Sequence, residues 1–225
     1  LEIPPFLLLS IASVGLYLGI LILVAERLKS VFPNDGEITR KVVHIGTGNV
    51  ILFAWWLNIP AWMGIAASIV ASIIAITSYF LPILRSINGV GRRSWGTLFY
   101  AISIGVLVAW FWPIEQQWFA AIGILTMALG DGFAALVGQN FGEHPYEILG
   151  SKKSVEGSLT MAAISFAVTF TILSLVYGFS GSFAVIALGT ALGATLLESF
   201  SKLGVDNLSV PIGSAAIAYY LFQIF

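Results

Sequence analysis

Residues 118–157 read WFAAIGILTMALGDGFAALVGQNFGEHPYEILGSKKSVEG, and the fold turns on this stretch. From Trp118 to Gln139 the sequence is apolar except for Thr126, Asp131 and Gln139. That length, at about 1.5 Å per residue, crosses a hydrocarbon core about 30 Å thick. Asp131 then lies about 20 Å along the helix, still inside the span. A carboxylate there is costly, and marks a site that faces the bundle interior or a wet cavity; the plainer alternative is a small-residue packing seam with the aspartate paired to Lys or Arg. Gly130 and Gly132 flank it, and Ala134, Ala135, Gly138 and Gly142 continue at helical spacing. Such a stripe lets another backbone or a ligand come close, and Gly138-x-x-x-Gly142 taken alone is a packing seam. The polar loop that follows ends in Lys152-Lys153-Ser154-Val155-Glu156-Gly157. Its lysines are point charges for phosphate, and the N–H groups opening the next helix add an anion-binding end. Ser151, Ser154 or Ser158 caps that helix or meets a phosphate oxygen. A lysine doublet alone is more often a topology signal; in register with Asp131 it becomes more specific. There is no GxxxxGK[ST], so the usual P-loop is excluded.

The wider composition agrees with a membrane setting. The 225 residues are 58% hydrophobic and 9% charged, with mean hydropathy +0.96. A soluble domain carries about 25% charged residues. The chain therefore reads as one integral-membrane domain, 1–225, with its nucleotide-site segment at 131–157. A net charge of −1 argues against nucleic acid, and the absence of cysteine removes disulfides and thiolate metal sites. Leu1 to Pro5 has no basic n-region, so Phe6 to Val24 is expected to be a retained span.

The expected architecture is an all-α, polytopic bundle of about eight spans, at 5–25, 42–58, 61–82, 96–113, 118–139, 158–178, 182–199 and 207–224. The second is weakened by His44, Thr47 and Asn49, the last by Pro211 and Gly213. Tryptophan and tyrosine gather near several span ends, as interface anchoring predicts. Arg27, Lys29, Arg40, Lys41, Arg85, Arg92, Arg93, Lys152, Lys153 and Lys202 all fall in or beside odd loops. By the positive-inside rule those loops face the cytoplasm, or the stroma, and both termini face the other side. Nine of the eleven acids lie toward the same face, all but Glu2 and Glu115. No inverted repeat of the transporter kind is apparent.

Two further clusters complete the ionisable set. In Arg40-Lys41-Val42-Val43-His44-Ile45-Gly46-Thr47-Gly48-Asn49, helical spacing puts Lys41, His44 and Gly48 on one face, and Arg40, His44 and Thr47 on a neighbouring one. His44 serves as a base, a phosphate donor or a helix–helix hydrogen bonder. Glu198, Lys202 and Asp206 recur every four residues, with Asn207 next. A continuous helix would stack them as i,i+4 ion pairs; the sharper reading is metal ligands or a general base facing Asp131. Mg²⁺ takes one or two carboxylates plus phosphate oxygens and water, so Asp131, Glu156, Glu198 and Asp206 leave one to spare as base.

At these residues the sequence resembles the polyprenol kinase family, which includes phytol, farnesol and dolichol kinases and is related to CTP-dependent cytidylyltransferases. Its D-x-x-A-x-x-x-G-x-x-x-G…K-K-[ST]-x-E-G signature is filled by Asp131, Ala134, Gly138, Gly142, Lys152, Lys153, Ser154, Glu156 and Gly157, nine fixed types over 27 residues. An R-K-x-x-H-x-x-x-G stretch is matched at Arg40, Lys41, His44 and Gly48, and D-N-L-x-x-P at Asp206, Asn207, Leu208 and Pro211. The resemblance covers about residues 26–225, and the short length is most similar to phytol kinases.

It implies CTP as phosphoryl donor, Mg²⁺, and a lipid-soluble isoprenoid alcohol as acceptor: phytol first, with farnesol or geranylgeraniol suiting the same residues. On that reading Asp131 and Asp206 hold the metal. Lys152 and Lys153 cradle the triphosphate, with Lys41, Ser154, Gly138, Gly142, Gly157 and Asn207 around the nucleotide. Glu198, Glu156 or His44 takes or orients the alcohol proton. Phosphoryl transfer needs mainly positioning and charge neutralisation, which these residue types supply. The nearest rival is a cytidylyltransferase acting on a lipid phosphate, which would release pyrophosphate; Val205-Asp206-Asn207-Leu208 departs from the terminal element of those enzymes. A small proton- or ion-coupled transporter with Asp131 and Glu198 as relays is the other rival, and it leaves the register of the lysine loop unexplained.

Overall fold

A computed structural model describes residues 4–31, 36–80, 95–148 and 150–225. The bundle is all-α apart from one short hairpin. In chain order the helices are α1 (Pro5–Val31), α2 (Gly36–Gly48), α3 (Val50–Trp56), α4 (Ala61–Phe80), α5 (Gly96–Phe111) and α6 (Gln117–Leu125). A π-helical turn, Thr126–Asp131, joins α6 to α7 (Gly132–Phe141). The hairpin β1 (Pro145–Ile148) and β2 (Ser151–Ser154) follows, then α8 (Val155–Tyr177), α9 (Ser182–Ser199) and α10 (Asp206–Ile224). Arg85, Arg92 and Arg93 lie outside the described residues.

Five helical segments among the described residues are long and apolar enough to cross a membrane: Pro5–Val31, Ala61–Ser78, Gln117–Phe141, Val155–Tyr177 and Ser182–Ser199. The other three of the eight expected spans are helical but do not reach that standard. The second breaks between Gly48 and Val50, leaving a polar α2 and a seven-residue α3. The fourth, Gly96–Phe111, is apolar but short. The last opens on Asp206 and carries Pro211 inside the helix.

The segment from α6 through α7 is the axis of the bundle. Phe119 to Ile124 and Met127 and Ala128 are buried, and α2, α3, α5, α8 and α10 all pack against this segment. Gly123 is why α10 comes so close: a Cβ there would lie 2.9 Å from the Ala215 Cβ and closer still to the Pro211 carbonyl. By contrast α1 buries only Ser10 and Ala25 and shows leucine and isoleucine on its other faces, as a lipid-facing helix does. It is fixed to α2 by the Tyr17 hydroxyl, which donates to the Gly46 carbonyl at 2.9 Å.

The two ends of the bundle differ in chemistry. Trp110 and Phe111 from the end of α5, Phe119 from the start of α6, and Tyr219 and Phe222 from the end of α10 form one aromatic cluster, with ring centroids 5.4 Å apart for Phe119 and Tyr219. Such a belt suits an interface. At the opposite end the finish of α9 and the start of α8 meet the hairpin, and there the Lys153–Glu198 pair lies.

One expected arrangement is overturned. Glu198, Lys202 and Asp206 are not stacked on one helix, because α9 ends at Ser199. The turn beyond it holds Leu203 and Gly204 at positive φ, 57° and 86°, which no α-helix accommodates.

Candidate active site

Asp131 closes the π-turn, where the extra residue per turn rotates the following side chains relative to a regular helix. The Lys41 ammonium, from α2, reaches its Oδ2 at 2.5 Å and its main-chain carbonyl at 3.3 Å. The pair is well buried, with side-chain exposures of 5% for Lys41 and 17% for Asp131. His44, one turn along α2, puts Nε2 4.0 Å from the same Oδ2, too far for a hydrogen bond. Its imidazole lies 4.5 Å from the Tyr100 ring, centroid to centroid. Neither His44 Nε2 nor the Tyr100 hydroxyl has a protein partner, although both atoms are buried. Gly48 completes the wall: a Cβ there would sit 2.5 Å from the Tyr100 hydroxyl and overlap Ala128. The face predicted for Lys41, His44 and Gly48 is therefore the inward one. Thr47 instead bonds back to the Val43 carbonyl of its own helix.

The second charged pair comes from the hairpin. β1 and β2 run antiparallel with Tyr146 opposite Lys153 and Glu147 opposite Lys152. Side chains alternate along a strand, so the two lysines leave on opposite faces. Lys153 turns inward and binds the Glu198 Oε1, while Lys152 is exposed. Glu198 thus pairs with Lys153 and not with Lys202. Its other oxygen, Oε2, is buried with no partner. Burial alone would pull the Lys153 ammonium down, but Glu198, then Asp206 and Asp131, hold it above the usual lysine value. The charges of Asp131 and Asp206 act on Glu198 as well. Two buried pairs from four remote segments thus share one electrostatic neighbourhood, with Asp206 at its edge.

Other expected site residues take different places. Ser154 caps α8, its Oγ accepting from the Gly157 N–H at 3.2 Å. Gly138 and Gly142 face that serine, and Gly157 faces Gly138, so the small-residue ladder seats the start of α8 against α7. Glu156 reaches outward to His144, Oε1 to Nδ1 at 2.6 Å, and is apart from the buried pairs. Asp206 Oδ1 accepts from the Asn207 main-chain and side-chain nitrogens at 3.0 and 3.2 Å, so Asn207 is engaged locally.

Sequence reasoning misses Tyr100, whose position between His44 and Gly48 has no local signal: it is one aromatic residue in an apolar helix.

Among the described residues no three acidic or histidine side chains gather as a metal cage. A hard divalent cation that draws its other ligands from phosphate and water would need one or two carboxylates. Glu198 Oε2 is a buried oxygen donor without a partner, whereas Asp131 Oδ2 is taken by Lys41 and Asp206 Oδ1 by Asn207.

No protein-family model and no solved structure matches the chain. Curated relatives do. Phytol kinase of Synechocystis sp. is 53% identical over 210 residues, 92% of this chain and 90% of that protein. A probable chloroplastic phytol kinase of Triticum aestivum is 30% identical, over 83% of this chain and 68% of the relative. The chloroplastic farnesol kinase of Arabidopsis thaliana is 28% identical, over 84% and 66% respectively.

Proposed function

The chain belongs to the phytol kinase family, and from that premise we propose that it transfers the γ-phosphoryl group of CTP, with Mg²⁺, to a long-chain isoprenoid alcohol. Phytol is the first choice of acceptor, with farnesol or geranylgeraniol as alternatives. The observation that carries this reading is two buried ion pairs, Lys41–Asp131 and Lys153–Glu198, formed across 90 and 45 residues of sequence, with Asp131 near enough for its charge to act on Lys153 and Glu198. Two cations and two anions brought together at one end of an apolar bundle are what a polyanion and its metal require, and an acceptor dissolved in lipid reaches the same place from the side.

Asp131 and Asp206 are the metal ligands in this reading, with Glu198 Oε2 as a third available oxygen. The ion, when bound, neutralises triphosphate charge. Lys153 and Lys41 change partners, from carboxylate to phosphate, and Lys152 contributes from the outer face of the hairpin. Gly138, Gly142, Gly157 and Ser154 act by holding the hairpin and α8 in place. His44 Nε2, unengaged and beside Asp131, is the group best placed to accept the alcohol proton. Glu156, tied to His144, is not. The site opens on the cytoplasmic or stromal face, with both termini on the other side and the three remaining helical segments completing an eight-span path.

Asp131→Asn tests the assignment: it slows turnover by about 10³-fold or more, the scale of losing a charge-neutralising group in phosphoryl transfer. The variant also leaves the buried Lys41 ammonium without its counter-charge and lowers the unfolding midpoint, so turnover is read at a temperature where the variant is still folded in detergent. Near-normal turnover in this variant would refute the assignment. Product analysis gives CDP; pyrophosphate would point instead to cytidylyl transfer.

A further inference from the structure

Tyr146 lies opposite Lys153 in the hairpin, on the inward face. Its hydroxyl meets Ser158 Oγ at 2.5 Å and Ser199 Oγ at 3.3 Å. Ser158 is in the first turn of α8, and Ser199 is the last residue of α9, next to Glu198. Ser199 donates its own proton to the Thr195 carbonyl at 2.8 Å, so toward Tyr146 it can only accept. A phenol has one proton, which fixes the direction of the chain. Ser158 donates to Tyr146, Tyr146 to Ser199, and Ser199 to Thr195. One hydroxyl therefore ties the hairpin to two helices at once. A second tie, Ser151 Oγ to the Ser201 carbonyl at 2.9 Å, holds the other strand to the turn after α9.

We propose that Tyr146 is a positioning residue for phosphoryl transfer, its hydroxyl fixing the lysine hairpin on α8 and α9 so that Lys153 stands at the buried site. The inference rests on the kinase reading above. Lys153 needs such a tie because it must exchange Glu198 for phosphate without the strand drifting away. The effect belongs to the hydroxyl and not to the ring, so phenylalanine is the informative replacement.

The test uses full-length protein in detergent, with CTP and phytol. Tyr146→Phe raises the KM for CTP about tenfold, the size of one or two lost hydrogen bonds. The KM for phytol stays within about twofold on the same argument. Amides of the hairpin exchange faster with solvent, while those of α8 and α9 do not. Adding Ser199→Ala to Tyr146→Phe makes the CTP effect no larger, because both act on one link. An unchanged KM for CTP, or an equal rise in both KM values, overturns the inference. Faster hairpin exchange with unchanged CTP kinetics confines that failure to the inference. Wild-type protein that transfers nothing from CTP to phytol or farnesol overturns the kinase reading itself.

Discussion

At the scale of single residues, Lys152 and Lys153 share a side-chain type and have opposite surroundings. Lys153→Met leaves Glu198, 5% exposed, without its counter-charge. Breaking a buried pair in this way costs about 3–5 kcal/mol, visible as a lowered midpoint of unfolding, and turnover falls with it. Lys152→Met changes stability by less than about 0.5 kcal/mol, as exposed substitutions do, and shows only as weaker CTP use. The sign of the pH effect follows from the raised Lys153 value. Its stabilisation is fully present below the ordinary lysine value of 10.5 and is lost only as pH climbs through the higher folded value. The Lys153 ammonium therefore adds no pH dependence to the stability of the wild-type protein between pH 7 and pH 9 in thermal unfolding. Tyr100→Phe removes a buried hydroxyl with no protein partner, and unfolding midpoints then stay level or rise slightly. Asp131 is legible in sequence as an inward-facing, partnered group, because a carboxylate inside an apolar run costs too much to face lipid unpaired. Tyr100 is not, since its importance comes from α2 packing beside it. The opposed directions of the two lysines are also hidden, because a loop of unknown conformation has no alternation to read.

At the scale of elements, the breaks in helices matter as much as the helices. Every expected span has a helical counterpart, because length and apolarity mark such segments directly. The interruptions are tertiary in origin. The π-turn at Thr126–Asp131 has only Gly130 as a local hint, and the end of α9 at Ser199 overrides a four-residue charge spacing that suits a helix. In sequence the hairpin is simply a polar loop, although Gly150, at φ 81°, is the residue its tight turn requires. Close approach between elements is likewise specific. Gly123→Val drives a branched side chain into the α10 backbone at Pro211 and the Ala215 methyl. Overpacking of this kind costs about 1–3 kcal/mol, read as a lowered unfolding midpoint in detergent. Activity at low temperature is retained, since the clash lies deep in the bundle and away from the charged end.

At the scale of the whole molecule, the chain separates an aromatic end from a charged end. The eight-span reading of the sequence expects such a polarity, since it puts every basic residue in or beside an odd loop. Which membrane face each end occupies is open to direct measurement, and the chain contains no cysteine to interfere. A single cysteine at Lys152 and one at Ser180, introduced separately, are expected to react with an impermeant maleimide from opposite sides of sealed vesicles. Labelling of both from the same side would overturn the proposed topology. The paired charges at the working end have a consequence for biogenesis. Lys41 with Asp131, and Lys153 with Glu198, cancel one another inside the protein. In a newly inserted bundle the four charges therefore neutralise one another within the protein, sparing the fold the larger cost of burying any of them alone.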